Sequence, residues 1–276
     1  MVNHELQKLV FKEDRSNFFL LAGPCVVESE ELVFEVARQI KEIAMKLDID
    51  FVFKSSYKKA NRSSLDSFTG IGDERALEIL GEVKSRFGIP VITDVHSPKE
   101  AEMAGKVVDV LQIPAFLCRQ TELLQAAADT GCIVNIKKGQ FMSPEAMRFA
   151  VDKVVQSGND FPMVTERGVT FGYHELLVDI RAIPIMKQFG YPVVLDCTHA
   201  NQQPNQVSGT TSGRPQFIDT LARAGVAVGV DGLFIETHPE PAQALSDGAN
   251  MLPLHELEGL LRRLVKIRSA LTESLS

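Results

Sequence analysis

At 276 residues, 45% of them hydrophobic, the chain is long for one average domain but ordinary for a single α/β barrel with a large core. Its 29 basic and 36 acidic side chains leave a net charge of −7, which argues against a nucleic-acid or membrane surface as partner. Residues 1–17 lack an apolar signal core, and no apolar run is long enough to span a bilayer, so a soluble cytoplasmic protein is expected.

Residues 1–17 are polar and weakly patterned and read as a small lead-in hairpin or cap. Short apolar runs then recur at 18–24, 50–54, 90–95, 110–115, 133–137, 163–166, 192–197 and 232–236, each bounded by Gly, Pro or Asp. They are too short for helices and rich in β-formers, so each predicts a strand. Between them lie segments with helical spacing. In 30–46, Leu32, Val33, Val36, Ala37, Ile40, Ile43 and Ala44 fall on one face, as an amphipathic helix requires. Similar patterns predict helices over 73–86, 98–105, 120–129, 144–157, 175–188, 215–228 and 253–271. Ser97-Pro98 and Ser143-Pro144 read as N-caps with Pro at the first helical position. About eight strands alternating with about eight helices, without a linker, predict one (β/α)8 TIM barrel over 1–276 with a short N-terminal extension. An open doubly wound sheet is the alternative. It would need a Gly-rich fingerprint after the first strand, and AGPCVVES is not one.

In such a barrel the functional groups follow the strands, at the C-terminal face. FKSSYKKANRSS, after the second strand, holds Lys54, Lys58, Lys59 and Arg62 among Ser55, Ser56, Asn61, Ser63 and Ser64, with no Asp or Glu from 51 to 65. Cations and hydroxyls at a strand end suit phosphate or carboxylate; a solvated basic loop is the plainer reading. Asp94 and His96 close the third strand, and Gln112, Pro114 and Arg119 follow the fourth. Lys137-Lys138-Gly139-Gln140 ends the fifth and Glu166-Arg167-Gly168 the sixth. The first, seventh and eighth strands become neighbours on closure and carry a different chemistry. Their ends hold Cys25 with Glu28, Asp196-Cys197-Thr198-His199, and Glu236-Thr237-His238-Pro239-Glu240 with Asp247 a short loop beyond. The four cysteines, Cys25, Cys118, Cys132 and Cys197, form no CxxC pair and read as reduced thiols. Cys25, His199, Glu236 and Asp247 would suit a borderline divalent ion such as zinc or ferrous iron. Other assignments stay open at this point. Cys25 could be a small core residue, His199 could bond a phosphate, and His238 or Glu240 could replace Glu236.

Eight stretches carry a resemblance: LLAGPCVVESEEL, FKSSYKKANRSS, TDVHSP, LQIPAFLCRQTELL, NIKKGQF, TERGVTFGYHELLVD, DCTHANQQP and LFIETHPEPAQALSDGAN. Together they resemble the 3-deoxy-D-manno-octulosonate 8-phosphate synthases, from about Phe18 to the last helix. KANRSS and LCRQT are the specific stretches, whereas GPC, TERG and ETHPEP are shared with the wider phosphoenolpyruvate-condensing synthases. The sister 3-deoxy-D-arabino-heptulosonate 7-phosphate synthases have KPRTS in place of KANRSS, in the loop that meets the sugar phosphate.

The resemblance implies a transferase that condenses phosphoenolpyruvate with D-arabinose 5-phosphate and water in an aldol-like step and releases phosphate, on the way to lipopolysaccharide. Lys59, Lys137 and Arg167 would hold the phosphoenolpyruvate phosphate and carboxylate, with Gln112 and Ala115 lining its pocket. Lys54 would sit against the reacting carbons, and Asp94 and His199 would face the reacting centre. Asn61, Arg62 and Ser63 would hold arabinose 5-phosphate, in part from a neighbouring subunit of a homotetramer. Metal-dependent members carry Cys at the position of Cys25 and metal-independent members carry Asn, so the resemblance implies a divalent ion (zinc, iron, manganese or cobalt) on Cys25, His199, Glu236 and Asp247. Cys197 departs from the small aliphatic residue usual before Thr-His and reads as structural. The polar stretch 201–214 reads as a mobile lid. Two rival functions are a heptulosonate 7-phosphate synthase and a non-catalytic phosphosugar-binding barrel.

Overall fold

The computed structural model describes residues 4–12, 16–61, 67–204 and 212–273. Eight parallel strands run in sequence order around a closed barrel: β1 (Phe19–Gly23), β2 (Asp50–Lys54), β3 (Val91–Asp94), β4 (Val110–Ile113), β5 (Ile133–Lys137), β6 (Pro162–Glu166), β7 (Val193–Asp196) and β8 (Gly232–His238). Closure is made by β8 on β1, with five paired positions from Phe19↔Gly232 to Gly23↔Glu236. The expected TIM barrel is the observed fold. Every anticipated strand is present to within about two residues.

The helices that follow these strands are α2 (Glu30–Lys46), α3 (Asp73–Phe87), α4 (Pro98–Ala104), α5 (Thr121–Asp129), α6 (Arg148–Gln156), α7 (Ala182–Lys187), α8 (Ile218–Ala227) and α9 (Leu254–Glu273); α1 (His4–Val10) precedes the barrel. Ser29 caps α2 through the Leu32 amide, and Ser97 caps α4 through the Glu100 amide ahead of Pro98. Outward side chains such as Leu20, Phe53, Leu111, Val134 and Leu195 pack under these helices in the main core.

The lead-in, read as a hairpin or cap, is a cap: its described part is the helix α1. Leu6 and Val10 are buried against Phe19, Leu21, Val52, Ile92, Met163 and Phe234 at the N-terminal end of the barrel interior. Leu6→Ala should therefore cost about 2–3 kcal/mol of stability, seen as a lower thermal midpoint, with the far mouth unchanged. One expectation needs correction: the helix expected over 175–188 is shorter. Glu175–Leu177 instead pairs antiparallel with Val169–Phe171 around Gly172, and α7 begins only at Ala182. Pro184 explains the late start: its ring would clash with the carbonyl four residues earlier in a helix extended upstream.

Along each strand the inward positions change character. Val52 is followed two residues on by Lys54, Ile92 by Asp94, Val110 by Gln112, Val194 by Asp196 and Phe234 by Glu236. Side chains two apart share a face of a strand. An apolar layer therefore floors the barrel, and a layer of buried charge lies on top of it.

Candidate active site

A cavity of about 500 Å³ opens at the C-terminal ends of the strands. Cys25, Lys54, Lys59, Asn61, Asp94, Gln112, Ala115, Lys137, Arg167, His199 and Asp247 all line it. Glu236 lies directly beneath, fully buried. Arg62 and Ser63 lie outside the described residues, as do 205–211 of the stretch read as a lid.

Backbone pairing past the strand ends fixes Cys25. The loop after β1 continues alongside that after β2: Ser56 N donates to the Cys25 carbonyl at 3.2 Å and Val27 N to Ser56 O at 2.9 Å. The Cys25 sulfur, a Glu236 oxygen and an Asp247 oxygen all lie within 4.8 Å of one another. His199 Nε2 completes the group, 3.6 Å from both Glu236 Oε2 and Asp247 Oδ2. Those distances are too long for hydrogen bonds, and Glu236 Oε2 is buried with no hydrogen-bond partner. A thiol, an imidazole and two carboxylates facing a common point match the donor set of a divalent transition-metal ion. The residues fit such an ion. Asp247 sits at φ 56° and so reaches inward from a left-handed turn that Asp tolerates better than most residues.

The remaining charges pair around this group. Lys54 Nζ donates to Glu236 Oε1 at 2.5 Å and to the Cys25 carbonyl at 3.2 Å. Lys137 Nζ donates to Asp196 Oδ2 at 2.7 Å and stands 3.8 Å from the centroid of the Phe234 ring. Asp94 accepts from Ser56 Oγ and Gln112 Nε2, with Lys59 Nζ at 3.9 Å. Gln112 in turn accepts from Asn135, and Asn135 from Thr165, so a polar chain crosses the barrel. Arg167 Nη2 donates to Gln202 at 2.8 Å, whereas its buried Nη1 has no hydrogen-bond partner.

Burial and charge shift these groups in opposing ways. Burial would raise the Glu236 carboxyl, but Lys54, His199 and Lys59 bring it down to about 2. Asp94 also stays well below the usual carboxylate range; burial opposes this, and Lys54, Lys59 and Lys137 outweigh it. Burial lowers Lys137 despite its Asp196 partner and lowers Arg167 likewise. The Cys25 thiol is pushed up to about 12, first by burial and then by Glu236. A cation at this point would reverse that logic by favouring the thiolate.

Three contributors carried no role in the sequence reading. Asp196 joins Lys137 and His199, Gln202 bridges Arg167 to Asp247 with its Nε2 3.0 Å from Asp247 Oδ2, and Ser246 Oγ lies 3.1 Å from the Cys25 sulfur. The signal for Asp196 was present, since it follows inward-facing Val194 by two. Gln202, in a two-residue strand paired with Ser212–Gly213, and Ser246 lie beyond the barrel strands, where no periodicity is long enough to orient a side chain.

A family model described as the DAHP synthetase I family matches residues 3–273. The chain belongs to the DAHP synthetase I family. Relatives of this DAHP synthetase I chain include a protein of Brucella anthropi named 2-dehydro-3-deoxyphosphooctonate aldolase, 52% identical over 248 residues and 90% of each chain. A protein of Desulfatibacillum aliphaticivorans with the same name is 52% identical over 251 residues, 91% of this chain and 92% of its own. One of Brucella ovis, again so named, is 52% identical over 246 residues and 89% of each chain. Among the described residues of this DAHP synthetase I member, no helix is long and apolar enough to cross a membrane.

Proposed function

We propose that this chain is a 2-dehydro-3-deoxyphosphooctonate aldolase, that is, a 3-deoxy-D-manno-octulosonate 8-phosphate synthase. It joins phosphoenolpyruvate to D-arabinose 5-phosphate with addition of water and release of phosphate. The observation that carries this reading is the meeting of Lys59, Lys137 and Arg167 with Cys25, His199 and Asp247 on one cavity. An anion bed and a metal-type donor set share one mouth.

In this reading Lys59, Lys137 and Arg167 bind the phosphate and carboxylate of phosphoenolpyruvate, and the unpartnered Arg167 Nη1 has a bond left to give. Gln112 and Ala115 line the same pocket, and Gln112 donates to Asp94, which the neighbouring lysines keep ionised beside the reacting carbons. Lys54 neutralises Glu236 and keeps its ammonium at the edge of the cavity near those carbons. Cys25, His199, Glu236 and Asp247 hold a divalent ion (zinc, iron, manganese or cobalt), which when bound supplies Lewis acidity and a fixed anchor for oxygen ligands. The enol carbon then attacks the aldehyde, water adds to the adjacent carbon, and phosphate departs. The side chains contribute orientation and charge stabilisation throughout. A single barrel domain, a cytoplasmic location and a homotetramer belong to the same reading. A sedimentation measurement that finds a fully active monomer would remove the homotetramer.

Asn61 lines the cavity at the start of the NRS run, and we assign Asn61, Arg62 and Ser63 to the sugar phosphate. Arg62→Lys should raise the KM for arabinose 5-phosphate about tenfold or more, because Lys lacks the planar fork that grips phosphate with two bonds. Phosphoenolpyruvate KM should change little; equal weakening of both would reassign the residue.

The deciding experiment measures phosphate release from phosphoenolpyruvate with arabinose 5-phosphate or erythrose 4-phosphate, before and after chelation. Turnover with the five-carbon sugar, lost on chelation and restored by a divalent ion, is expected. Preference for erythrose 4-phosphate would make the chain a heptulosonate synthase. Binding of both ligands without turnover under any metal would leave only a phosphosugar-binding barrel.

A further inference from the structure

We propose that Asp196 is a positioning residue shared by both halves of the site, holding His199 for the metal and Lys137 for the phosphoenolpyruvate anion at once. The inference rests on the roles proposed above for those two residues. Asp196 is fully buried at the end of β7. Its Oδ1 accepts from the amides of Thr198 at 3.1 Å and His199 at 2.8 Å, which fixes the plane of the carboxylate. Its Oδ2 accepts from Lys137 Nζ at 2.7 Å and lies 2.8 Å from His199 Nδ1. Two oxygens thus meet four donors, which fills the lone-pair directions of a carboxylate. None is left for a substrate, so Asp196 acts only through its neighbours.

Two consequences follow from the shared oxygen. A carboxylate at Nδ1 keeps the imidazole proton there and leaves the Nε2 lone pair facing Glu236 and Asp247, as a metal ligand requires. The same oxygen tethers the Lys137 ammonium over the Phe234 ring, where it lines the cavity. Lys137 Nζ and His199 Nδ1 are only 3.5 Å apart because both converge on it. An amide cannot replace this group. With its oxygen kept on the two backbone amides, its NH₂ would face an ammonium and the imidazole Nδ1. The imidazole would then carry its proton on Nε2, and Lys137 would lose its anchor.

Asp196→Asn tests this on the full chain, with metal affinity read by chelator competition for zinc and phosphoenolpyruvate affinity by calorimetry without any aldose. Zinc affinity should fall 10- to 100-fold, the range for partners that orient metal-ligating histidines, and phosphoenolpyruvate affinity at least tenfold. Asp196→Glu keeps both acceptor oxygens and should recover part of each. In a Lys137→Met background, adding Asp196→Asn should leave phosphoenolpyruvate affinity within about twofold while still lowering zinc affinity, because effects through one partner do not add. A merely structural role would lower both again, and that result overturns the proposal. Nitrogen NMR of the wild-type His199 ring gives a check that needs no variant to fold: a neutral ring protonated at Nε2 in the metal-free protein also overturns it. A wild-type protein that binds neither zinc nor phosphoenolpyruvate would instead overturn the functional reading.

Discussion

The Cys25→Ala protein is expected to lose its divalent ion on dialysis and at least 100-fold of its phosphate release, while folding normally. Cys25 contributes the soft donor of a group otherwise made of an imidazole and two carboxylates. Soft thiolate selects borderline ions over magnesium or calcium. Removing it leaves Glu236 Oε2 buried and facing Asp247 across an emptied corner. Lys54 still neutralises Glu236 at 2.5 Å, so the fold should survive although the metal does not. Cys25→Asn should also lose tight metal binding. Part of the turnover should survive, because an amide can hydrogen-bond the neighbours of Cys25 and the resemblance implies Asn at this position in metal-independent synthases. The pH dependence has a definite sign. The metal-free thiol is pushed up to about 12 by burial and by Glu236, so the ion must displace a proton to bind. Metal affinity should fall as pH falls, by about tenfold per unit where the thiol alone titrates. Full activity after exhaustive chelation, with no metal found by elemental analysis, would reduce Cys25 to a core thiol.

Much of this was legible in the chain because two periodicities agree. The strand runs alternate with amphipathic segments, which gave the barrel, and the polar residues that close each strand run marked its mouth. Val52 with Lys54 and Phe234 with Glu236 show both levels at once. The metal donors were harder to read. Cys25 and Asp247 stand outside strands, and their approach depends on backbone pairing with Ser56 and on a left-handed turn at Asp247. Spacing encodes neither. The helix expected over 175–188 failed for a local reason: Leu176 and Leu177 suit either period, and Pro184 decided against the helix. The partner choice of each buried charge was least visible of all. Lys54 and Lys137 stand at equivalent strand ends, yet one pairs with Glu236 and the other with Asp196. Only closure of the barrel determines which carboxylate faces which lysine.

Lys137→Met should cost two to three orders of magnitude in kcat/KM, with the loss seen mainly in phosphoenolpyruvate and not in the aldose phosphate. Methionine keeps most of the length and can pack against Phe234 but removes the charge. A donor or cation aimed at developing charge in a dry site is worth about 10²–10³ in rate. The substitution also breaks a buried ion pair, whose remaining half is costly to leave alone. Asp196 is cushioned here, because His199 Nδ1 and two amides still face it. Its titration then changes in a predictable direction. In the wild type burial opposes ionisation of Asp196, but His199 and Lys137 hold it well below the usual range. A carboxylate lowered in the folded state contributes stability above its unfolded value, about 3.9. That contribution is lost as pH falls through the folded value. Without Lys137 the folded value rises toward the unfolded one, so Asp196 contributes less stability and that contribution is exhausted at a higher pH. Acid unfolding of Lys137→Met should therefore start earlier than that of the wild type, while stability near neutrality falls by less than a fully orphaned charge would cause. Borohydride separates this electrostatic role from a covalent one. An adduct trapped on Lys137 of the wild type with substrate present would identify a Schiff base, and the charge-stabilising role given to Lys137 would then be wrong.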